Sequence, residues 1–99
     1  MTEEEFLEFI EAICKRPKMY TPTGSFYEVV SFLEGFGARA NVGNKPYHSV
    51  FTPFINRIKE KYSVEEITFH WEDIRKMYSS DSEALKNLPI LYKELFKSF

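Results

Sequence analysis

The sequence contains a single cysteine and no long apolar run. Cys14 cannot form an internal disulfide, and no secretory pattern of basic residues followed by a long apolar run precedes it. A membrane-spanning helix needs about 20 consecutive apolar residues, and a membrane-surface helix is usually basic where this N-terminus is acidic. We therefore expect a cytoplasmic protein without a membrane partner.

The chain also has no excess of basic charge. Its 13 Lys and Arg residues face 15 Asp and Glu residues, which gives a formal net charge of -2. Proteins that follow the phosphates of nucleic acids usually concentrate basic charge. The composition therefore excludes nucleic acid as the expected partner.

Residues with catalytic or metal-binding chemistry are scarce. His48 and His70 are the only histidines, and neither has a second His or Cys at the spacing that places two ligands on one helix face. No serine lies in a nucleophile-elbow pattern, and the four glycines are too scattered to cradle a phosphate. We expect neither a metal ion nor a cofactor, and no enzymatic activity.

Apolar and aromatic residues, in contrast, are abundant. Hydrophobic residues make up 43% of the 99 residues and aromatic residues 17%, which is enough for one hydrophobic core. Segments of helical periodicity with short connections predict an all-α fold, a small bundle of four to five amphipathic helices. The sequence predicts one helical domain over residues 1–99.

Two capping boxes mark the first two predicted helices. Thr2 and Glu5 begin the first, which ends before Pro17, and Ser25 and Glu28 begin the second, which should finish near Ala38. Their predicted buried stripes are Phe6, Phe9, Ile10, Ile13, Phe26, Val29, Val30, Leu33 and Phe36.

The second half of the chain predicts a surface loop over residues 41–46 and then two or three further helices. The third helix should begin near Ser49, with a stripe that reaches Tyr62, and Ser63 resembles the cap of a fourth. Residues 64–71 leave helix and strand both open, because "ITFHW" alternates like a strand. The last helix should begin after a cap at Ser80 or Ser82, and Pro89 should kink or divide it. The predicted stripes are Val50, Phe51, Phe54, Ile55, Ile58 and Tyr62, then Ile67, Trp71, Ile74 and Tyr78, then Leu85, Leu88, Leu91, Tyr92, Leu95 and Phe96.

The turn between the first two helices resembles an architectural clamp. Pro17 ends one helix, Met19 and Tyr20 should fold beneath the pair, and Ser25 starts the next. We expect the Tyr20 ring to be buried against both helices, with its hydroxyl bonded to a polar partner.

Acidic residues are unevenly distributed. The first eleven residues include five glutamates and no basic residue, which predicts either an ordinary solvated helix face or an acidic patch that attracts a basic partner. The residues we predict for that partner-binding surface are Glu4, Glu8, Glu11, Glu72 and Asp73.

A set of short motifs resembles a group of small bacterial proteins of about this length. The group shows R-P-x-M-Y, a Gly-x-x-Ser element, F-L-x-G-Y/F and a later Trp-x-x-Ile, and this chain departs from it at Lys18, across residues 21–24 and in a longer loop at 41–46. The corresponding positions are Arg16, Pro17, Met19, Tyr20, Ser25, Phe32, Leu33, Gly35, Phe36, Trp71 and Ile74.

The resemblance implies an immunity-type protein of polymorphic toxin or contact-dependent inhibition systems, which binds and neutralises a cognate toxin. A nuclease (RNase) toxin would suit an acidic inhibitor that occludes a phosphate-binding active site. Two alternatives remain open: a small helical enzyme or ligand-binding protein that uses His70 with Glu72 or Asp73, and a homo-oligomeric regulatory adaptor. The sequence does not determine the oligomeric state.

Overall fold

The structure, a computed structural model, describes residues 1–40, 51–65 and 69–95. Within these ranges it contains five α-helices and no strand, which confirms the predicted all-α fold. The helices are α1 (Glu3–Lys15), α2 (Phe26–Ala40), α3 (Thr52–Lys61), α4 (Trp71–Lys76) and α5 (Asp81–Leu95), with one turn of 3-10 helix at Pro17–Met19. The predicted loop at residues 41–46 lies outside the described residues.

Both predicted capping boxes are confirmed. At the start of α1 the backbone N–H of Thr2 donates to Glu5 Oε1 (2.8 Å) and that of Glu5 donates to Thr2 Oγ1 (3.1 Å). At the start of α2 the backbone N–H of Glu28 donates to Ser25 Oγ (3.2 Å), and that of Ser25 donates to Glu28 Oε1 (3.3 Å). Helix α2 continues to Ala40, slightly past its predicted end.

The prediction of a helix that begins at Ser63 is wrong. Ser63 has a φ of 54° and follows the end of α3, where its N–H donates to the Glu60 carbonyl (3.3 Å). The N–H of Val64 donates to the Lys59 carbonyl (2.8 Å), which completes a Schellman motif. Ser63 therefore terminates a helix, and among the residues that the structure describes the following helix is α4, which begins at Trp71.

Helix α5 is not divided at Pro89, contrary to one of the two predicted outcomes. One helix continues from Asp81 to Leu95 with Pro89 inside it. The backbone N–H of Glu83 donates to Ser80 Oγ (3.1 Å), so Ser80 is the N-terminal cap. The cost of the proline is outweighed by burial, because Leu85, Leu88 and Leu91 on either side all lie in the core.

Helix α5 is central to the bundle because it packs against each of the other four helices, and most extensively against α1. The core contains aromatic residues from every helix, among them Trp71, whose surface is only 4% exposed. The buried hydrophobic residues are Phe6, Ile10, Ile13, Phe26, Val29, Val30, Leu33, Phe51, Phe54, Ile55, Ile58, Trp71, Ile74, Ala84, Leu85, Leu88, Leu91 and Tyr92.

Among the residues that the structure describes, the predicted stripes match this core except at four positions. Tyr62, placed on the α3 stripe, is 48% exposed, because it forms the C-terminal cap where the chain leaves the helix. Phe9, Phe36 and Tyr78 are only partly buried and pack against the core from its edge. The predicted start at Ser49 and the side chains of Val50, Ile67, Leu95 and Phe96 lie outside the described residues.

Candidate functional site

The first candidate surface is the outer face of α1, which carries three of its five glutamates. Glu5 is held in the capping box, and Glu3 is partly buried. Glu4, Glu8 and Glu11 are exposed, and helical spacing places them within an arc of roughly 60° over a length of about 10 Å. We call these three residues the α1 acidic face.

The carboxylates of the α1 acidic face form no ion pair among the described residues. No ion pair within the described part of the chain involves Glu4, Glu8 or Glu11, whereas the backbone N–H of Thr2 holds the pKa of Glu5 below its ordinary value. Lys15 lies one turn after Glu11, and its positive charge marks the C-terminal end of the acidic face. The three carboxylates thus remain available to a basic surface on another molecule.

Glu72 and Asp73, the other two predicted partner-binding residues, lie on α4, which packs against α2 and α5. Glu72 pairs with Lys76 (3.3 Å), and Asp73 Oδ2 accepts the backbone N–H of His70 (3.0 Å) at the start of the helix. Both carboxylates therefore have local partners. Their part in a binding surface stays a prediction, while the structure brings Glu4, Glu8 and Glu11 together.

His70, the residue on which the alternative enzymatic reading depends, is exposed. Its ring lies edge-on to the Trp71 ring, with centroids 6.1 Å apart, and the contact that joins it to Asp73 is made by its backbone N–H. Among the residues that the structure describes, no group of three or more His, Cys, Asp or Glu side chains could hold a metal ion.

Cys14 lines a shallow groove between α1 and α5. The groove has a volume of about 410 Å³ and is lined by Glu11, Cys14, Lys15, Ser82, Leu85, Lys86 and Pro89. Burial raises the pKa of the Cys14 thiol to about 12. The thiol therefore stays protonated near neutral pH, and Cys14 packs as a small residue at the edge of the core.

The turn between α1 and α2 differs from the predicted clamp. Met19 is 68% exposed and Tyr20 is 39% exposed, so neither folds beneath the helices. The buried residue of the turn is Thr21, whose hydroxyl donates to the Pro17 carbonyl (3.0 Å) and accepts the Gly24 N–H (2.9 Å). Because Thr21 satisfies these backbone groups, the turn is closed from within, while Met19 stays largely exposed and Tyr20 partly exposed.

Tyr20 joins an aromatic cluster along the α1 and α2 junction. Its ring centroid is 6.2 Å from that of Phe9 and 6.3 Å from that of Phe32. Phe9 also stacks on Phe36 at 4.1 Å. The predicted contact of Tyr20 with both helices is confirmed, whereas its predicted burial is wrong.

The second candidate surface, which the sequence reading missed, is an open groove on the outer face of α2. Its volume is about 410 Å³. We call it the α2 aromatic groove; its lining residues are Tyr20, Thr21, Pro22, Tyr27, Glu28, Ser31 and Phe32. Tyr27 and Phe32 lie outside the apolar stripe of α2. Two aromatic residues outside the buried stripe are the feature of the sequence that indicates this exposed surface.

Comparisons with protein-family models, curated protein sequences and solved structures found no match to this chain. The resemblance to immunity-type proteins therefore rests on its motifs alone. Within those motifs Leu33, Trp71 and Ile74 are core residues, whereas Met19 and Phe32 are exposed. No helix in the described ranges is both long and apolar enough to cross a membrane.

Proposed function

We propose that this protein is an immunity-type inhibitor that binds a basic protein toxin, a nuclease, and blocks its active site. The observation that supports the proposal is the α1 acidic face, with three exposed carboxylates of one sign on a single helix. Glu4, Glu8 and Glu11 have no ion-pair partner among the described residues.

The physical basis is mimicry of a phosphate backbone. A nuclease holds phosphates with basic side chains, and phosphate charges along one strand advance by about 3.4 Å each. A row of three carboxylates about 10 Å long therefore covers about three such phosphate steps. Complementary charge of this kind accelerates association and suppresses wrong partners.

The stiffness of α1 favours such a role. The capping box fixes its start, and Phe6, Ile10 and Ile13 on its opposite face are fully buried against the core. The three carboxylates therefore project from a backbone that loses little freedom on binding, which lowers the entropic cost of association.

The experiment is co-expression with the product of the reading frame immediately upstream of this gene. If that product inhibits growth, we expect this protein to restore growth and to co-purify with it at a fixed ratio. Growth inhibition that persists, with both proteins soluble and no complex formed, would contradict the proposal.

A further inference from the structure

The α2 aromatic groove combines aromatic walls with one carboxylate. Tyr20, Tyr27 and Phe32 contribute three exposed rings, and Glu28 is the only charged side chain in the lining. The faces of aromatic rings carry negative potential, and a carboxylate adds to it. The groove therefore has the electrostatic character of a cation site, although it is mainly apolar.

The Glu28 carboxylate is fixed in place. Its Oε1 accepts the Thr23 hydroxyl (2.6 Å), the Thr23 backbone N–H (2.9 Å) and the Ser25 backbone N–H (3.3 Å). These bonds, chiefly that of the Thr23 hydroxyl, lower the pKa of Glu28 below its ordinary value. The Gly24 backbone N–H contributes a smaller effect of the same sign. Oε2 takes part in none of the three bonds to Oε1, and Glu28 lines the groove, so Oε2 is the oxygen we assign to a ligand.

The floor of the groove is formed by a short side chain, that of Ser31. Ser31 lies one helical turn after Tyr27, and Phe32 lies one turn after Glu28, so the aromatic rings and the carboxylate surround a short side chain. A flat cationic group can approach the helix over Ser31.

We infer that the α2 aromatic groove binds an arginine side chain of a partner protein, with the guanidinium stacked on Tyr27 or Phe32 and bonded to Glu28 Oε2. Arginine fits better than lysine, because a guanidinium is planar, stacks on aromatic faces and donates hydrogen bonds at its edge. The inference goes beyond the proposed function, since the groove lies on different residues from the α1 acidic face and its test needs no toxin.

The test is an NMR titration of the protein with the peptide Ac-Gly-Arg-Gly-NH₂ and with its citrulline counterpart, which has the same shape without the charge. We expect millimolar binding of the arginine peptide, about fivefold tighter than the citrulline peptide. The amide signals of Thr21, Glu28, Ser31 and Phe32 should shift.

Three variants locate the site. Phe32→Leu removes a ring and should reduce the preference for the arginine peptide. Ser31→Arg places a cation in the groove and should abolish binding of the peptide. Residue 31 is exposed on a helix, so this substitution should preserve folding. Tyr62→Leu, an exposed aromatic residue outside the groove, is the matched control and should change nothing.

Equal binding of both peptides, or no shift at the groove, would overturn the inference. A dimer in sedimentation equilibrium that Ser31→Arg dissociates would also overturn it, because the groove would then be covered by a second copy of this chain. Reversal of charge at Glu4, Glu8 and Glu11 should leave peptide binding unchanged. The test of the groove can therefore fail or succeed independently of the test of toxin binding by the α1 acidic face.

Discussion

The carboxylate of Asp81 accepts the backbone N–H of Phe26, 55 residues earlier in the chain, at 3.1 Å. Its other oxygen accepts the guanidinium of Arg75, which in turn donates to the Tyr78 carbonyl (3.1 Å). One side chain at the start of α5 therefore bonds the first residue of α2 and the last turn of α4. Three helix ends meet at Asp81.

Asp81 should make stability depend on pH. The hydrogen bond from Arg75, followed by that from Phe26, lowers the pKa of Asp81 below its ordinary value of 3.8. Because the folded-state pKa is the lower one, this stabilisation is present above pH 3.8 and is lost as the pH falls through the folded-state pKa.

Asp81→Asn should reduce the free energy of unfolding by about 1 kcal/mol at neutral pH, a modest value because the side chain is partly exposed and screened. The difference from the natural protein should shrink as the pH falls below 3.8. Urea unfolding at a series of pH values measures it. Glu83→Gln removes the same charge from the same helix turn and serves as the control; an equal, pH-independent loss in both variants would contradict the account.

Two glycines should respond in opposite directions to the same substitution. Gly35 lies inside α2, and a Cβ there would meet no atom within 4 Å apart from its own neighbouring helix backbone. Gly35→Ala should therefore raise the free energy of unfolding by about 0.5 to 1 kcal/mol through backbone entropy. Gly24 has a φ of +73°, and a Cβ would lie 3.0 Å from Lys18 Cγ. Gly24→Ala should cost about 1 to 2 kcal/mol. Thermal unfolding of both variants checks the signs, and two changes of the same sign would show that one backbone conformation is wrong.

Ser63→Gly should stabilise the protein. Ser63 adopts a left-handed conformation at the end of α3, which costs a residue with a Cβ about 1 kcal/mol more than glycine. Part of the gain is offset in the unfolded chain, so we expect about 0.5 kcal/mol. The control is Ser79→Gly, an exposed serine between α4 and α5, and chemical denaturation compares the two. A loss of stability in Ser63→Gly would show that the Schellman motif does not form.

Tyr20 contributes less to stability than the buried clamp residue expected from the sequence. Its ring is partly exposed, so Tyr20→Ala should cost about 1 to 2 kcal/mol through lost contacts with Phe9 and Phe32. Tyr20→Phe should be close to neutral, because the described residues offer its hydroxyl no hydrogen-bond partner. Differential scanning calorimetry measures both. A loss of about 3 kcal/mol or more in Tyr20→Ala would restore the clamp interpretation.

The sequence predicted correctly those features that depend only on residues close together along the chain. The Thr2 and Ser25 capping boxes and the stripes of α1, α2 and α5 need only neighbours within one or two helical turns. Ser63 shows where this fails, because its spacing to Glu66 resembles a capping box while the chain uses Ser63 to end a helix. The bond between Asp81 and Phe26 joins residues that only the tertiary fold brings together.

Of the two candidate surfaces, the α1 acidic face was predictable from the sequence and the α2 aromatic groove was not. Glu4, Glu8 and Glu11 share a face by helical spacing alone. The α2 aromatic groove depends on Thr21, which closes the turn and leaves the Tyr20 ring partly exposed beside Phe32. An interpretation that assigns aromatic residues to the core by default predicts a buried Tyr20, whereas 39% of its surface is exposed.

The most direct measurement of the central claim compares two charge reversals in the affinity for the co-purified toxin. Glu4→Lys, Glu8→Lys and Glu11→Lys together remove the α1 acidic face, whereas Glu60→Lys, Glu65→Lys and Glu83→Lys make the same change in net charge at exposed positions elsewhere. With circular dichroism confirming that both variants are folded, we expect the first to weaken binding at least about tenfold and to reduce its salt dependence, and the second to change it by about twofold or less. Equal affinities for the two variants, or full affinity in the first, would contradict the account.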